Sequence, residues 1–386
     1  DELTRAFLTP LHKGKGDASD PTGYRPVVLM SVCTKVLNKM ILHRIRDAVD
    51  DLLLPAQAAY RPHRSTIQHI TTLHALASRS RHSDVPLYAV FADFCNAFSA
   101  VRRAPLFALL TAYGVPWRIV AYLMRLHAQQ RLRVRFGGEV HDADIAPTVG
   151  VLQGDTLAPY LFILVMDQVL RHVPLSIGAL VDHALHIRCA ALAYADDVVL
   201  LANTHREAQV LLSCFERAAL QYGLLLNLHR GKTEVMLFHH GSVPVHSPVL
   251  LTASGAVGVT ASYRYLGWRV LAHTDDWVHD FDARRRLAWV LLRKHDAVWS
   301  SHVSLQVKRD LFRALILQVL VYTAAVYPVR LGVQRRLHVS CNALLRRALS
   351  TPIHWSAPVV HVPTLELYGP IPFLPGAVCA WVLSQW

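Results

Sequence analysis

Two adjacent aspartates between short apolar runs are the residues of this chain best suited to chemistry. Asp196 and Asp197 lie in the run from Cys189 to Ala202, whose pattern predicts a strand, a tight turn and a second strand. Neighbouring carboxylates repel each other, so beside a buried sheet at least one would stay protonated unless a divalent cation relieved the repulsion. The alternative is that both acids only fill a hairpin turn, where Asp is a favoured residue.

A third acid supports the interpretation as a cation site. The segment from Pro86 to Asp93 alternates as a strand and places Ala89, Phe91 and Asp93 on one face. An acid at the end of an apolar strand is unusual unless something binds it. The two strand ends together make the three aspartates candidate ligands of a shared cation.

Other polar residues have types that suit a nucleotide. Gly154 lets the backbone approach a ligand closely, and its neighbour Gln153 offers both a donor and an acceptor. Near the start of the chain, loops that carry Lys13, Lys15 and Arg25 have the charge to hold a triphosphate. An ordinary basic surface loop explains these three residues equally well.

Composition narrows the class of partner. The chain has 386 residues, a hydrophobic fraction of 53% and a net charge of +13, which predicts two or three packed subdomains and suits a polyanion. A membrane surface or a solvated basic face would also fit this charge. The six cysteines are scattered without a C-x-x-C pair, which argues against a zinc ribbon or a disulfide framework and favours a reducing compartment.

The first residue of the chain and its most apolar segment lead to two further predictions. The chain begins at Asp1 without Met, so we expect it to be a region of a larger protein. The apolar segment 314–327 is too short to span a bilayer and predicts a core helix.

Hydrophobic periodicity predicts the elements that must position these residues. Thr34 is predicted to cap a helix whose apolar positions include Val36, Met40, Ile41 and Ile45. Further predicted elements are a helix with Ile67, Ile70, Leu73 and Ala77 on one face, helices at 104–113, 117–128 and 160–173, a hairpin at 131–139 with Arg131, Arg133 and Arg135 on one face, a capping box at Thr204–Glu207 whose helix points Val210, Leu211, Cys214, Phe215 and Ala218 inward, and basic helices near 276–298, 304–327 and 332–349, two of them ended by Pro328 and Pro352. Arg61 and Arg64 precede the second helix, a suitable place for a contact to a nucleic-acid phosphate.

The ordered set of these motifs resembles a reverse transcriptase of the non-LTR (LINE-like) retrotransposon type, over nearly the whole chain. The motifs that carry the resemblance are, in order, Gly23–Leu29, Gln57–Thr66, Phe91–Phe98, Gly150–Pro159, Tyr194–Asp197, Asn227–Lys232 and Tyr265–Gly267. The resemblance implies an α+β right-hand polymerase fold with an antiparallel-sheet palm. By this resemblance, residues 1–85 would be the fingers, 86–270 the palm with fingers elements inserted at about 104–149, and 271–386 the helical thumb with a C-terminal tail.

The same resemblance assigns roles in catalysis. Asp93 and Asp196 would be the main ligands of two Mg²⁺ ions, which Mn²⁺ can replace, and Asp197 the supporting acid. Such a pair of metals would hold the attacking and leaving oxygens of a phosphoryl transfer in line. Lys232 would protonate the departing pyrophosphate. Phe98 would lie under the sugar and select deoxynucleotides, although simple core packing is the alternative for this side chain.

Further residues would bind substrates. Arg25 with Lys13 or Lys15 would clamp the triphosphate, and Gln153-Gly154 would lie against the incoming nucleotide and template. Tyr265-Leu266-Gly267 would be the primer grip.

The chain also departs from the family pattern. Ser99 occupies the place of an acid in many relatives, Ala158 the place of a serine, and Ala59-Tyr60 the place of a Gly-Phe pair. Because the missing acid is not a metal ligand in the family, we expect activity to tolerate its absence.

The resemblance predicts an RNA-directed DNA polymerase whose partners are an RNA template, a DNA primer or nicked target DNA, and deoxynucleoside triphosphates, with no membrane partner. Because such elements copy their RNA at a chromosomal site, it also predicts a nuclear place of action. Three alternatives stay open: an inactive relict that only binds RNA, a reverse transcriptase of the group II intron or retron type, and an RNA-dependent RNA polymerase. Phe98 argues against the last of these.

Overall fold

The structure, a computed structural model, describes residues 3–14, 17–174, 176–182, 184–241, 249–274, 277–327 and 331–348. The chain divides into two compact units, of which unit 1 is Asp1–Arg64 with Arg79–Tyr263 and unit 2 is Ser65–Ser78 with Arg264–Trp386. Lys15, Pro328, Pro352 and the tail from Thr351, for which the sequence made predictions, lie outside the described residues.

Most strands of the described residues belong to unit 1. The strands are β1 (Arg5–His12), β2 (Tyr24–Met30), β3 (Leu87–Ala92), β4 (Arg131–Phe136), β5 (Glu139–Ile145), β6 (Ala179–Asp182), β7 (Ile187–Cys189), β8 (Ala191–Tyr194), β9 (Asp197–Ala202), β10 (Glu234–Phe238), β11 (Leu251–Thr252), β12 (Gly255–Ala256), β13 (Gly258–Val259), β14 (Ser262–Tyr265) and β15 (Trp268–Leu271). One sheet has the order β2-β1-β4-β5, and a second, central sheet has the order β13-β10-β3-β9-β8.

Helices occur in both units and make up most of the described residues of unit 2. The helices are α1 (Val32–Asp50), α2 (Thr66–Arg81), α3 (Ala97–Ala100), α4 (Arg103–Ala112), α5 (Trp117–Ala128), α6 (Ala158–Arg171), α7 (His205–Gln221), α8 (Val278–Lys294), α9 (Asp296–Ser300), α10 (Leu305–Leu311), α11 (Gln318–Val321) and α12 (Leu331–Ala348), with a π-helix at Phe312–Leu317 and 3-10 turns at Pro21–Gly23 and Ala324–Val326. None of the described helices combines the length and apolar character needed to cross a membrane.

The central sheet is held by a core on which two helices pack. β3 lies in the middle of the sheet, and its six residues, apolar throughout, are all buried, as a strand covered on both faces requires. α7 packs on β3 and β9, and α6 packs on α7. Residues on every side of α6 are buried, which is typical of a helix inside a core. The strand ends that carry the candidate acids are therefore fixed by a rigid support.

The predicted helix starts are confirmed in one case and wrong in another. Thr204 and Glu207 make the predicted capping box at the start of α7. The cap of α1 is Ser31, whose side chain accepts a hydrogen bond from the Thr34 backbone N–H, and Thr34 lies buried inside the first turn. The prediction of Thr34 as the cap failed because Ser and Thr are both good caps and the apolar pattern does not distinguish them.

Burial also corrects three residues on two of the predicted apolar faces. Val36 and Met40 on α1 are exposed by 53% and 51%, whereas Ile41 and Ile45 are buried as predicted. On α7 Val210 is 39% exposed. The buried face of α1 instead includes the polar side chain of Asn38, which hydrophobicity alone does not predict.

In unit 2 the predicted helix at 304–327 is present but changes its pitch. α10 continues into the π-helix, then α11 and the last 3-10 turn. Phe312, Ile316 and Leu320 recur at a spacing of four residues and are all buried. The sequence thus predicted a core helix in this segment, but neither its buried positions nor the wider turn at its centre.

A buried histidine in unit 1 predicts a dependence of stability on pH. Burial lowers the pKa of His127 from its usual 6.5; a hydrogen bond to the Leu123 carbonyl opposes this shift, the charge of Arg103 reinforces it, and that of Asp155 opposes it. Below about pH 6.5 the unfolded chain takes up a proton that the folded chain resists, so the folded state loses stability as pH falls. We expect the difference in unfolding free energy between wild type and His127→Gln, from urea denaturation, to shrink between pH 7.5 and 5.5. A difference independent of pH would contradict this.

Candidate active site

Two strand pairings bring three predicted site residues to one end of the central sheet. The pairing of β3 with β9 ends at Ala92 and Val198, so that the next residues, Asp93 and Asp197, come opposite each other. The register of β3 with β10 likewise brings Lys232, two residues before β10, opposite Asp93. Opposite residues of an antiparallel pair point to the same face. The two acids and the lysine therefore share one face of the sheet.

The third acid lies in the turn between β8 and β9. Tyr194 pairs with Asp197, which leaves Ala195 and Asp196 as a two-residue hairpin turn. Ala195 has φ +56°, the left-handed region that the first position of a primed hairpin turn requires. Asp93 and the 196–197 turn thus lie on one surface, as a common site demands.

Asp93 is held by polar groups from the segment before β10. Its Oδ1 is 3.3 Å from the Lys232 Nζ, and its Oδ2 accepts a hydrogen bond of 3.2 Å from the Asn227 Nδ2. The Thr233 hydroxyl donates to the Asp93 carbonyl at 3.1 Å. Because the Lys232 side chain is 48% exposed and that of Asp93 27%, the ion pair is accessible to solvent and to a ligand.

The electrostatics of the acids favour a bound cation. The surrounding protein dehydrates Asp197, and this burial together with the charges of Asp196 and Asp93 raises its pKa to about 6. The pKa of Asp196 is also raised, chiefly by burial and by Asp93, while Lys232 and Arg25 act in the opposite direction. Both side chains still reach solvent at the turn. A divalent cation would remove the repulsion that raises these pKa values.

The donor set fits a metal ion in chemistry, although its atoms are not assembled around one. Carboxylate oxygens are the ligands that Mg²⁺ prefers, and it is usually held by one or two of them with substrate phosphates and water. Within the described residues no group of three or more His, Cys, Asp and Glu side chains is close enough to hold a metal by itself. Asp93, Asp196 and Asp197 are the residues that would bind such an ion together with a substrate.

Phe98 packs against the core of unit 1. Its ring stacks on that of Phe162, with centroids 4.5 Å apart and planes 15° apart, and it is partly buried against the core. Core packing thus accounts for one face of the Phe98 ring. The role of Phe98 in selecting deoxynucleotides stays a prediction.

Gln153 and Gly154 lie against β2. The Val28 N–H donates to the Gln153 carbonyl at 2.6 Å, and Gly154 has φ +113°. A Cβ at Gly154 would be 2.3 Å from the Val28 carbonyl oxygen, so only glycine fits this approach of two backbones. The glycine here is required by the protein's own packing, whether or not a nucleotide also approaches it.

Gly154→Ala is expected to lower the free energy of unfolding by about 2 kcal/mol, because the added Cβ overlaps backbone and φ is unfavourable. Gly114→Ala is a matched control, since Gly114 also has positive φ but nothing within 4 Å of a Cβ. The control should lose about 1 kcal/mol. If urea denaturation gave equal losses of unfolding free energy for Gly154→Ala and Gly114→Ala, the close approach of Gly154 to the Val28 carbonyl would have no effect on stability.

The residues predicted to clamp a triphosphate lie along β1, β2 and their loop. Arg25 is exposed in β2 opposite Leu11, and its charge acts on Asp196. Lys13 is exposed just beyond β1, and its N–H donates to the Gly23 carbonyl at 2.8 Å. The role of Arg25 and Lys13 in binding a triphosphate stays a prediction.

Arg61 is engaged within unit 1. Its guanidinium pairs with Asp50 at 3.0 Å and donates to the carbonyls of Asp50, Leu54 and Gln57, and its side chain is only 7% exposed. A contact from Arg61 to primer or template stays a prediction, and it would require an exchange of these bonds. In the structure, the bonds of Arg61 fix the segment that follows α1.

The predicted primer grip belongs to unit 2. Tyr265 is buried, and Leu266 and Gly267 form the turn between β14 and β15 with φ +46° and +80°. The carbonyl groups of both turn residues accept hydrogen bonds from side chains of the helical part of this unit.

Gln57 is a site residue that the sequence did not reveal. The segment 56–58 adds to β8 through bonds between Ala58 N–H and the Ala193 carbonyl and between Ala193 N–H and the Ala56 carbonyl. The fully buried Gln57 Oε1 then accepts from the backbone N–H of Ala195 at 3.0 Å. Asn227 was missed as a partner of Asp93 in the same way. Both lie in motifs that carried the resemblance, which was the only available signal.

Comparison with known proteins places this arrangement in a family. The sequence matches the family model of the reverse transcriptase (RNA-dependent DNA polymerase) over residues 12–270. The Pol polyprotein of the type-2 retrotransposable element R2DM from Drosophila melanogaster is 28% identical over 353 residues, which are 90% of this chain and 32% of that protein. The Pol polyprotein of an R2 element from Nasonia vitripennis is 30% identical over 57% of this chain and 21% of its own length.

A solved structure is similar in fold. Apo telomerase from Candida tropicalis superposes with a TM-score of 0.50 at 10% sequence identity, covering 89% of this chain and 59% of that one. At this identity the similarity concerns the fold alone.

The mixed sheets and helices with acids at the end of a central strand define a polymerase domain of the α+β class. The chain belongs to the reverse transcriptase (RNA-dependent DNA polymerase) family, and the R2 relatives confirm the resemblance to the non-LTR retrotransposon type. It spans about a third of the length of the first of these relatives. Members of this family use divalent metal ions and copy a nucleic-acid template with deoxynucleoside triphosphates.

Proposed function

We propose that this domain extends the 3′-hydroxyl of a DNA primer on an RNA template, with two Mg²⁺ ions held by Asp93, Asp196 and Asp197. The observation that carries the proposal is the convergence of Asp93 with the 196–197 turn and Lys232 at one end of the central sheet. Asp93 and Lys232 meet although they are 139 residues apart in the chain. The negative charges of these acids repel each other, as the raised pKa of Asp197 shows, so their convergence does not by itself stabilise the fold.

Each residue has a separate task in the proposed reaction. The primer oxygen forms a bond to the α-phosphorus of the nucleotide while the bond from that phosphorus to the pyrophosphate oxygen breaks. The metals, when bound, would stabilise the charge on both oxygens. Lys232, whose side chain is 48% exposed beside Asp93, would give a proton to the departing pyrophosphate. Arg25 would neutralise the triphosphate.

The partners follow from the same proposal. The net charge of +13 suits a nucleic-acid duplex, whose counterions are released on binding. We propose that the primer in the cell is nicked target DNA and that the protein acts in the nucleus, by analogy with elements that insert into chromosomes. The remaining two thirds of the relatives' length would supply the other activities that this requires.

Primer extension tests the proposal directly. A labelled DNA primer annealed to RNA is incubated with the protein, deoxynucleotides, and Mg²⁺ or Mn²⁺. The expected result is extension that depends on the metal and stops in chelator. Binding to the primed RNA without extension in either metal would favour an inactive relict, and extension only with ribonucleotides would favour an RNA polymerase.

Selection of the sugar is tested at Phe98. Phe98→Val is expected to raise the use of ribonucleotides relative to deoxynucleotides about tenfold, since a steric contact of this size contributes roughly 1–3 kcal/mol of discrimination. Phe162→Leu is the matched control, because it removes the stacking partner of Phe98 but leaves the Phe98 ring in place. The prediction is checked by single-nucleotide incorporation. An unchanged ratio in Phe98→Val, or an equal rise in both variants, would contradict the role of Phe98.

A further inference from the structure

The turn at Leu266–Gly267 is held by side chains that no motif of the sequence identified. The Tyr322 hydroxyl donates to the Leu266 carbonyl at 3.1 Å. The Arg284 Nη2 donates to the next carbonyl, that of Gly267, at 2.7 Å. Two consecutive carbonyls of one turn are thus each bound by a different side chain, and all four residues belong to unit 2.

The two side chains also support each other. The Arg284 guanidinium lies over the ring of Tyr322, with its Cζ 4.9 Å from the ring centroid. Thr66 at the start of α2 forms a hydrogen bond of 2.7 Å with the Tyr322 hydroxyl. Since that hydroxyl donates to Leu266, it accepts from Thr66. The hydroxyl therefore has one donor and one acceptor, which fix its direction.

A buried ion pair fixes the arginine. The Arg284 Nε is 2.8 Å from the Asp280 Oδ2, and Asp280 also accepts hydrogen bonds from the hydroxyls of Thr323 and Tyr327. Asp280, Thr323 and Tyr327 are all at most 5% exposed. A charge buried this deeply is held by several bonds at once, so the guanidinium has little freedom to leave the turn.

The turn needs such support because its backbone conformation is energetically unfavourable. Leu266 is a residue with a Cβ at φ +46°, and it is followed by Gly267 at φ +80°. Left-handed residues with side chains cost about 1–2 kcal/mol each and persist only where surroundings enforce them. Arg284 and Tyr322 together form what we call the clamp of this turn. Gly267 lies close to it, because a Cβ there would be 3.4 Å from the Tyr322 ring.

We propose that Arg284 and Tyr322 are positioning residues that hold the Leu266–Gly267 turn in the conformation that binds the primer. This rests on the proposed function of the turn as primer grip. The clamp comes from α8 and from the residue after α11, so the helices of unit 2 set the shape of the turn. Neither side chain need touch nucleic acid.

The test is the affinity for a primer–template duplex, measured by fluorescence anisotropy without divalent metal so that no chemistry intervenes. Tyr322→Phe removes one hydroxyl and keeps the ring under Arg284. It is expected to raise the Kd about fivefold, since a single hydrogen bond contributes a factor of this order. Arg284→Lys, which keeps the charge beside Asp280 but lacks the fork that reaches Gly267, is expected to raise the Kd at least as much.

Tyr327→Phe is the matched control. It removes a buried hydroxyl from the same ion-pair network but makes no bond to the turn. Its Kd is expected to stay within twofold of wild type, and the KM for deoxynucleotides should be unchanged in all three variants. Equal effects of Tyr322→Phe and Tyr327→Phe would overturn the proposal, because general loosening of unit 2 would then explain both.

Gly267→Val separates this inference from the function on which it rests. A β-branched residue cannot adopt φ +80° readily, so this variant should weaken duplex binding strongly if the turn holds the primer. Weak binding by Gly267→Val with normal binding by Tyr322→Phe and Arg284→Lys would overturn the clamp alone. Normal binding by Gly267→Val would overturn the primer-grip function of the turn.

Discussion

Asp196→Asn is expected to lower the rate of primer extension by about 10³-fold or more, roughly 4 kcal/mol of transition-state stabilisation. The substitution keeps the shape of the side chain in the hairpin turn and removes one negative charge. A neutral amide binds a divalent cation far more weakly than a carboxylate. The measurement is single-turnover extension of a DNA primer annealed to an RNA template in saturating Mg²⁺, with Mn²⁺ in parallel.

The same variant is expected to keep its stability, which separates this site from a structural one. The charge of Asp196 raises the pKa of Asp197, so without metal the two acids destabilise each other when both are ionised. Removal of one charge should leave the unfolding temperature in metal-free buffer at least as high as that of wild type. Addition of Mg²⁺ should raise the unfolding temperature of wild type more than that of the variant.

Asp142→Asn is the control, because Asp142 is an exposed acid on β5 whose loss changes net charge equally. Its extension rate should match that of wild type. Equal rates for wild type and Asp196→Asn would show that these acids are not the metal ligands. A fall in both rate and unfolding temperature would show instead that Asp196 mainly holds the turn together.

Local patterns were enough to predict the elements around this site. The apolar runs flanking Asp196 and Asp197 predicted β8 and β9, and Thr204 with Glu207 predicted the start of α7. These features depend on neighbours in sequence, where strand alternation and helix caps operate. The approach of Asp93 to the turn depends on the register of β3 with β9, which the acids at the two strand ends suggested and the ordered motifs of the resemblance supported, but which no local pattern determines.

Long-range polar contacts were not predictable in this way. Arg61 was predicted to meet nucleic acid because it is basic and precedes a helix, yet its donors bind Asp50 and nearby carbonyls. Arg284 is one of many basic residues of the helical region, yet its side chain is only 11% exposed and donates to the Gly267 carbonyl, 17 residues earlier in the chain. The sequence shows the charge of an arginine, and for Arg284 the acid one helical turn before it, but not which distant backbone carbonyl lies beside it.

Gln57 shows why the site needs a residue that performs no chemistry. Its Oε1 accepts hydrogen bonds from the N–H groups of Ala59 and Ala195, at 2.9 and 3.0 Å, and its Nε2 makes a long contact of 3.5 Å with the Ala195 carbonyl. Ala195 is the left-handed residue that directly precedes Asp196. The side-chain amide of Gln57 thus fixes the turn that orients the Asp196 carboxylate.

Gln57→Leu is expected to lower the extension rate of the folded protein about 10²-fold, because a shift of about 1 Å in a reacting group has an effect of this order. Leucine fills the buried volume but leaves the Ala195 N–H without a partner, which should also lower the free energy of unfolding by about 1–3 kcal/mol. Both quantities are measured on the same preparation, the rate well below the unfolding temperature. A larger requirement for Mg²⁺ would accompany the slower rate, since the carboxylate no longer faces its ion.

Gln130→Leu is the matched control for this prediction. Gln130 is also a buried glutamine, and its Oε1 accepts a bond of 3.3 Å from Arg103, which keeps its bonds to the carbonyls of Gly150, His127 and Pro147. Because no backbone N–H of the turn depends on Gln130, this control should lose less stability than Gln57→Leu and should keep its extension rate and its Mg²⁺ requirement. If both variants lose rate in proportion to stability, Gln57 acts only through the fold. If Gln57→Leu loses rate and Gln130→Leu does not, the hydrogen bond to the turn is what places Asp196 for catalysis.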